Sequence, residues 1–178
     1  MKDKANIEVQ VSVVMGSDSD LPVMEETIKT LKSFGVPHEI LIASAHRSPE
    51  RTSSFAKGAL QRGIRVVIVG AGAAAHLAGV IASQTLLPVI GIPIDGSPLG
   101  GLDALLSTVQ MPGGIPVATM AIGKAGARNA ALMAVRILSL TDENLRRKLQ
   151  AYVEEMAKEV EKKQTYLEDR LNTEKQGL

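Results

Sequence analysis

Histidine and arginine stand side by side at positions 46 and 47, where an apolar run, Ile40 to Ala43, gives way to a polar segment. Imidazole titrates near neutral pH, so His46 is a candidate for proton transfer. The guanidinium of Arg47 presents a planar fork of donors that suits a phosphate group, and the hydroxyl of Ser44 stands close by in the sequence. The segment therefore predicts an acid–base group beside an anion-binding group.

Both residues also have ordinary structural explanations. A single histidine is often a hydrogen-bonded structural residue, and a surface arginine often forms an ion pair. Position favours the functional interpretation, because His46 and Arg47 directly follow a predicted strand, residues 38–43. In an open α/β sheet, ligands bind outside the carboxyl ends of the strands.

A second polar segment, MGSDSD at residues 15–20, follows another predicted strand. Gly16 permits a tight turn, and the backbone N–H groups that open the next helix beside Ser17 and Ser19 predict an anion site. Asp20 can cap that helix or accept hydrogen bonds from sugar hydroxyls. A capped helix without a ligand explains this segment equally well when it is considered alone.

A loop of small residues, GAGAAAHLAG at 70–79, follows the third predicted strand. Its Gly70, Gly72 and Ala75 fit the loose dinucleotide pattern G-x-G-x-x-G/A, with Asp95 further on, but closure of the loop over a small ligand explains it equally well. His76 could face either the site or the helix interior. The histidines lack a close second ligand, so no metal site is predicted.

The elements that must position these residues alternate regularly along the chain. The short apolar runs are rich in β-branched residues, as in parallel strands buried between helices, and amphipathic segments separate them. The predicted strands are 9–14, 38–43, 65–69, 88–92 and 116–121, and the predicted helices are about 20–34, 48–62, 74–85, 101–109 and 125–139. This pattern predicts an α/β domain, residues 1–140, with a parallel sheet.

From Thr141 the chain becomes rich in Glu, Lys and Arg, with apolar residues at helical spacing. Residues 141–178 are therefore predicted to form a long amphipathic C-terminal helix and tail that pack in an oligomer. The helix carries an apolar stripe: Leu145, Leu149, Tyr152, Met156, Val160, Leu167 and Leu171.

Composition excludes several classes of function. The 178 residues include no cysteine, so thiol nucleophiles, disulfides and cysteine-based zinc sites are absent. A net charge of +1 and an aromatic content of 2% argue against nucleic-acid binding. No apolar run approaches the length of a membrane span, and the N-terminus lacks an apolar signal region. A cytoplasmic protein without membrane contact is expected.

Taken in order, MGSDSD, SAHRSP, GAGAAAHLAG and QMPGGIPVATMAIGKAGARNAA resemble the N5-carboxyaminoimidazole ribonucleotide mutases of purine biosynthesis, from about Val11 to Ser139. The resemblance implies a flavodoxin-like three-layer sandwich, a homo-octamer and no metal or organic cofactor. It implies an isomerase that converts N5-carboxyaminoimidazole ribonucleotide, a small-molecule substrate, to 4-carboxy-5-aminoimidazole ribonucleotide.

The resemblance also implies roles for individual residues. His46 would transfer the proton, giving one as the carbamate breaks to CO2 and taking one back after CO2 recombines at the ring carbon. The small-residue loop would cover the carboxylate or CO2 pocket. The substrate-binding residues would be Ser17, Asp20, Ser44 and Arg47, with Gly72, Ala73, His76 and Leu77 from the loop.

The chain departs from the family pattern at three positions. Ala73 stands where a second glycine is expected, Ala78 where a proline is expected, and Gly113 where arginine is frequent. These changes bear on loop stiffness and rim contacts.

Three alternatives remain open. One is a carboxylase that uses free CO2, although AAHL in the loop favours the mutase. The others are a dinucleotide-dependent oxidoreductase and a non-catalytic receiver-like module, since a fold alone does not decide function.

Overall fold

Five parallel strands form a single sheet in the computed structural model, which describes residues 8–176. The strands lie in the order β2-β1-β3-β4-β5, which is the flavodoxin-like order, so the predicted fold is confirmed. The strands are β1 (Val11–Met15), β2 (His38–Ile42), β3 (Val66–Gly72), β4 (Val89–Ile94) and β5 (Ala118–Thr119).

Helices cover both faces of the sheet and complete the three layers. They are α1 (Leu21–Phe34), α2 (Pro49–Gly58), α3 (Leu77–Ala82), α4 (Leu102–Val109) and α5 (Gly123–Ser139). On one face α1 meets α5, where the buried Thr27 Oγ1 donates to Ala127 O at 2.8 Å. On the other face Phe55 of α2 and Ile81 of α3 pack with Val67 of β3.

The core is aliphatic, as the shortage of aromatic residues predicts. Every residue of β1 and of β4 is buried. The edge strand β2 differs, because the side chains of Ile40 and Ile42 remain 51% and 47% exposed. The expectation that each strand is buried on both faces is therefore wrong for β2. It is also wrong for β5, the other edge strand, where Ala118 is exposed and Thr119 half-buried.

Two predicted boundaries around the small-residue loop move, and both changes shape the site. The third strand continues to Gly72, beyond the predicted end at 69, because Gly72 pairs with Ile94 of β4. The third helix begins at Leu77 rather than 74. Before it the chain makes two tight turns, in which Ala75 N donates to Ala73 O and His76 N donates to Ala74 O, both at 2.8 Å.

A separate compact unit begins at Ser139, after the first unit ends at Leu138. It contains α6 (Glu143–Gln176), which Asp142 caps by accepting from Asn144 N and Leu145 N at 2.9 and 3.0 Å. Beyond Leu145 its apolar side chains are largely exposed, including Met156 at 42%. Within residues 8–176, no helix combines the length and apolar character that crossing a membrane requires.

Candidate active site

A cavity of about 390 Å³ opens at the carboxyl ends of β1, β2 and β3. Strands β2 and β3 flank β1 on opposite sides, so this is the point where the strand order reverses and where doubly wound sheets bind ligands. Its volume falls within the range usual for small-molecule sites, about 300–1,000 Å³. The structure brings together on its wall eight of the nine predicted site residues, Ser17, Asp20, Ser44, His46, Arg47, Gly72, Ala73 and Leu77, but not His76.

The segment after β1 forms a compact 3-10 turn, Asp18–Asp20, instead of leading directly into α1. Ser17 N donates to Asp20 Oδ2 at 3.0 Å, and Ser19 N donates to Ser17 Oγ at 3.3 Å. Asp20 therefore caps this turn. It makes no side-chain cap on α1, so the prediction that Asp20 caps that helix is wrong. The predicted backbone anion site is also wrong in part, because the amides of Ser17 and Ser19 are already occupied by side chains of the turn.

Asp20 is a buried carboxyl on the wall of the cavity, with 8% of its surface exposed. Burial raises the pKa of Asp20 above its usual value, while hydrogen bonds from the amides of Ser17 and Gly16 and the positive charge of Arg47 oppose that rise. A phosphate placed against Asp20 would meet a like charge. The carboxyl is better suited to accept hydrogen bonds from neutral hydroxyl groups.

The segment after β2 is closed by hydrogen bonds between Ser44 and Ser48. Ser44 N donates to Ser48 Oγ at 2.9 Å, and Ser48 N donates to Ser44 O at 2.9 Å. Ser44 Oγ accepts from Arg47 N at 3.1 Å. The Ser48 side chain makes no cap on α2 and instead fixes the loop that carries His46 and Arg47.

Arg47 presents an uncommitted positive charge to the cavity. Its side chain is exposed, and within the described part of the chain its guanidinium makes neither an ion pair nor a side-chain hydrogen bond. By contrast, Arg62 and Arg128 pair with glutamates at 2.8 and 3.1 Å. The surface-ion-pair explanation for Arg47 therefore fails among these residues, and the guanidinium remains available to an anion.

His46 and His76 come together although 30 residues separate them. His46 Nε2 lies 2.9 Å from His76 Nδ1, and the rings meet edge to face with centroids 5.0 Å apart. His46 lies on the cavity wall, whereas His76 contacts His46 without lining the cavity. The third histidine, His38, has a structural role, since its Nδ1–H donates to Val36 O at 2.8 Å.

The small-residue loop after β3 contains the one described non-glycine residue with a left-handed backbone, Ala73, with φ of 50°. This is the position where the family pattern expects glycine, which adopts such a backbone without steric cost. The dinucleotide alternative loses its basis here. Gly70 and Gly72 lie within β3 and pair with Ile92 and Ile94 of β4, so they form no phosphate-binding loop. The helix that follows has only six residues.

Several residues of the cavity wall were not predicted as site residues. They come from the first turn, the loop after β2 and the ends of β3 and β4: Gly16, Ser19, Ala45, Ala71, Ala74, Ile94 and Gly96. Their segments were expected at this edge of the sheet. Apart from Ser19, which had been considered only for a backbone anion site, no residue type among them signals chemistry. Among the described side chains, no three histidine, cysteine or acidic groups lie close enough together to hold a metal ion.

Comparison with known proteins gives matches across most of the chain. Residues 10–159 match the family model described as AIR carboxylase. An N5-carboxyaminoimidazole ribonucleotide mutase of Pyrococcus horikoshii is 57% identical over 159 residues, which cover 89% of each chain. The mutase of the same name from Thermotoga maritima is 52% identical over 89% of this chain and 92% of that protein.

The fold comparison agrees with the sequence comparison. The crystal structure of Treponema denticola PurE superposes with a TM-score of 0.76, at 33% sequence identity. The match covers 85% of this chain and 93% of that one.

Proposed function

The chain belongs to the AIR carboxylase family, and from that premise we propose that it is an isomerase of purine biosynthesis. It converts N5-carboxyaminoimidazole ribonucleotide to 4-carboxy-5-aminoimidazole ribonucleotide. The observation that carries this function is the 57% identity to a mutase of that name over 89% of both chains. The cavity at the carboxyl edge of the sheet supports it, since it combines a free cation, a histidine and hydroxyl groups in one small space.

The charges around the cavity suggest how the ribonucleotide is oriented. The phosphate binds at Arg47, whose guanidinium has no partner within the described residues, with the hydroxyls of Ser17 and Ser44 as further donors. The ribose hydroxyls bind at Asp20, whose buried carboxyl would repel the phosphate. This orientation leaves the imidazole ring between His46 and the loop after β3.

His46 then supplies both proton transfers of the reaction. It gives a proton to the carbamate nitrogen as the N–C bond breaks, which releases CO2 and neutral aminoimidazole ribonucleotide. The ring carbon attacks CO2, and His46 takes back the proton that this carbon loses. The two transfers balance, so the enzyme ends each turnover in the protonation state in which it began.

The small-residue loop forms a pocket suited to CO2. Ala71, Ala73, Ala74 and Leu77 contribute aliphatic surface to the wall, and Ile94 adds more from β4. Such a surface offers no ionic group to bind bicarbonate from solution. Holding the released CO2 beside the ring keeps the recombination effectively intramolecular.

The assignment of His46 is tested by substituting it with asparagine, which removes the titrating group. His46→Asn should abolish turnover of N5-carboxyaminoimidazole ribonucleotide while ribonucleotide binding survives. His38→Asn is the matched control, because asparagine can still donate to Val36 O and should leave turnover near normal. Near-normal turnover of His46→Asn would show that His46 is not the acid–base group.

A carboxylase that uses free CO2 is the second candidate, since the family description names that activity. Isotope-labelled bicarbonate present during turnover of N5-carboxyaminoimidazole ribonucleotide should enter the product poorly if the transferred CO2 stays in the pocket. Free entry of the label would favour the carboxylase. So would faster turnover of aminoimidazole ribonucleotide with physiological bicarbonate. Activity lost with EDTA and restored by metal would contradict the cofactor-free mechanism proposed here.

The proposal extends to assembly. Residues 1–140 form the catalytic domain, and residues 141–178 contribute to a homo-octamer that works in the cytoplasm. The exposed apolar side chains of α6 support an assembly role, because a lone amphipathic helix needs a surface for its apolar face. Light scattering should give eight times the mass of one chain, and cell fractionation should recover the enzyme with the cytosol.

A further inference from the structure

His76 is hydrogen-bonded to His46, the proposed acid–base group, but does not line the cavity. Its Nδ1 is 2.9 Å from His46 Nε2, and the two rings are inclined by 80°. No other side-chain hydrogen bond to the His46 ring occurs among the described residues. A residue so placed acts on the reaction through His46 rather than by touching the substrate.

The backbone holds His76 firmly enough to serve as such a support. His76 N donates to Ala74 O at 2.8 Å, and His76 O accepts from Val80 N at 2.9 Å, so the residue is anchored at the start of α3. His46 lies in the loop after β2, and its one side-chain hydrogen bond among the described residues is the bond to His76. The hydrogen bond to this anchored residue therefore restricts rotation of the His46 ring.

One proton is shared in the hydrogen bond between His46 Nε2 and His76 Nδ1. The proposed acid–base role of His46 determines which of the two rings carries this proton. The acid form of His46 has protons on both ring nitrogens, so its Nε2–H must donate and His76 Nδ1 must accept. If His76 Nδ1–H were the donor, neutral His46 would carry its proton on Nδ1 and could not take up a second without losing the bond. Only the first arrangement is compatible with both the acid and the base form.

We propose that His76 is a positioning residue that holds His46 as the Nε2–H tautomer, so that His46 Nδ1 is the atom that exchanges protons with the substrate. The proton on Nε2 stays in place throughout the cycle. His46 Nδ1–H is given to the carbamate nitrogen, and Nδ1 then takes the proton lost by the ring carbon. The proposal rests on the acid–base role proposed for His46.

Three substitutions at His76 separate this role from direct contact with the substrate. The Oδ1 of asparagine stands as many bonds from the backbone as Nδ1 and can accept the same hydrogen bond. The Oε1 of glutamine stands where Nε2 does, and leucine offers no acceptor. His76 is exposed, so none of these changes disturbs the core.

The positioning role predicts that His76→Leu and His76→Gln lower kcat about tenfold or more, the loss usual for a hydrogen bond to a charged group, with KM changed less than about threefold. His76→Asn should recover most of the lost kcat. Unchanged kcat in His76→Leu would overturn the proposal. Rescue by glutamine and not by asparagine would also overturn it, because His76 would then act through Nε2.

Nitrogen-15 NMR of the free enzyme tests the tautomer independently of turnover, with the His46 signals assigned by their loss in His46→Asn. Neutral His46 should carry its proton on Nε2 in the unchanged protein and in His76→Asn, and should become a mixture of tautomers in His76→Leu. A proton on Nδ1 in the unchanged protein would overturn the proposal. Normal turnover of His46→Asn would instead remove the acid–base role itself, so the two failures are distinguishable.

Discussion

Replacing Arg47 with alanine should weaken binding of the ribonucleotide while leaving binding of the corresponding riboside nearly unchanged. The guanidinium lies on the cavity wall, and within the described residues it has no ion-pair partner. Its removal therefore breaks no ion pair with a carboxylate of the described residues. The loss of binding free energy therefore reflects the contact with the phosphate, because the substitution breaks no ion pair in the unliganded protein.

The size of the effect follows from this geometry. A hydrogen bond to a charged group contributes about 1.5–3 kcal/mol, which corresponds to roughly a 10- to 150-fold change in Kd. Because Arg47 is exposed, solvent screening favours the lower half of that range. Loss of the positive charge should also raise the pKa of Asp20 further, since Arg47 lowers that pKa in the unchanged protein.

Calorimetric titration with aminoimidazole ribonucleotide measures the effect without turnover, because this ligand has no carboxyl group to transfer. The riboside has the same ring and sugar, so any indirect effect through Asp20 cancels in the ratio of the two Kd values. Arg51→Ala is the matched control. It removes a positive charge of the same kind from the exposed surface of α2, away from the cavity wall, and should change Kd less than about threefold.

Two results would contradict this assignment. If Arg47→Ala weakened ribonucleotide and riboside equally, the guanidinium would contact the sugar or the ring instead of the phosphate. If Arg51→Ala weakened ribonucleotide binding as much as Arg47→Ala, the effect would come from the overall field of the protein rather than from a contact.

Three further predictions concern assembly and stability. Deleting residues 142–178 should lower the oligomeric mass measured by light scattering, and an unchanged mass would show that this segment is dispensable for assembly. Ala73→Gly should raise the free energy of unfolding by about 0.5 kcal/mol, because relief of a left-handed alanine outweighs the entropy cost of glycine. Ala125→Gly, at an exposed position of α5, should instead lower the free energy of unfolding by about 0.5–1 kcal/mol, and urea titrations measure both changes. The Arg62 side chain lowers the pKa of Glu39, so this pair stabilises the fold above the usual glutamate pKa and loses its contribution as pH falls through the depressed value. Glu39→Gln should remove this acid dependence, on the order of 1 kcal/mol or less for a partly exposed pair, and an identical slope of stability against pH in both proteins would contradict it.

The architecture was predictable because its signals are periodic. Apolar strands alternate with amphipathic helices, which specifies a parallel sheet, and the strand order then follows a common pattern. The burial of individual strands was less predictable. β2 has the composition of a buried strand, yet it lies at the sheet edge with Ile40 and Ile42 partly exposed. Hydrophobic periodicity indicates whether a segment is a strand or a helix, but it does not indicate which elements pack beside that segment.

The site was predictable to the level of residue type and sheet edge. Parallel strands place the segments that follow them together, so Ser17, His46 and Gly72 could be expected on one wall. Hydrogen bonds within those segments were not predictable, because serine and aspartate can cap a helix or close a turn with equal ease. Ser48 and Asp20 both close turns here.

The contact between His46 and His76 could not be predicted from the sequence. Sheet topology places both residues at the same edge, since β2 and β3 flank β1. Whether two side chains from that edge touch depends on the left-handed turn at Ala73 and the delayed start of α3, neither of which has a periodic signal. The same local backbone therefore shapes the proposed CO2 pocket on one side and sets the distance between the two histidines on the other. Substitutions in residues 73–76 should consequently alter proton transfer as well as CO2 retention, although only one of these residues can carry a proton.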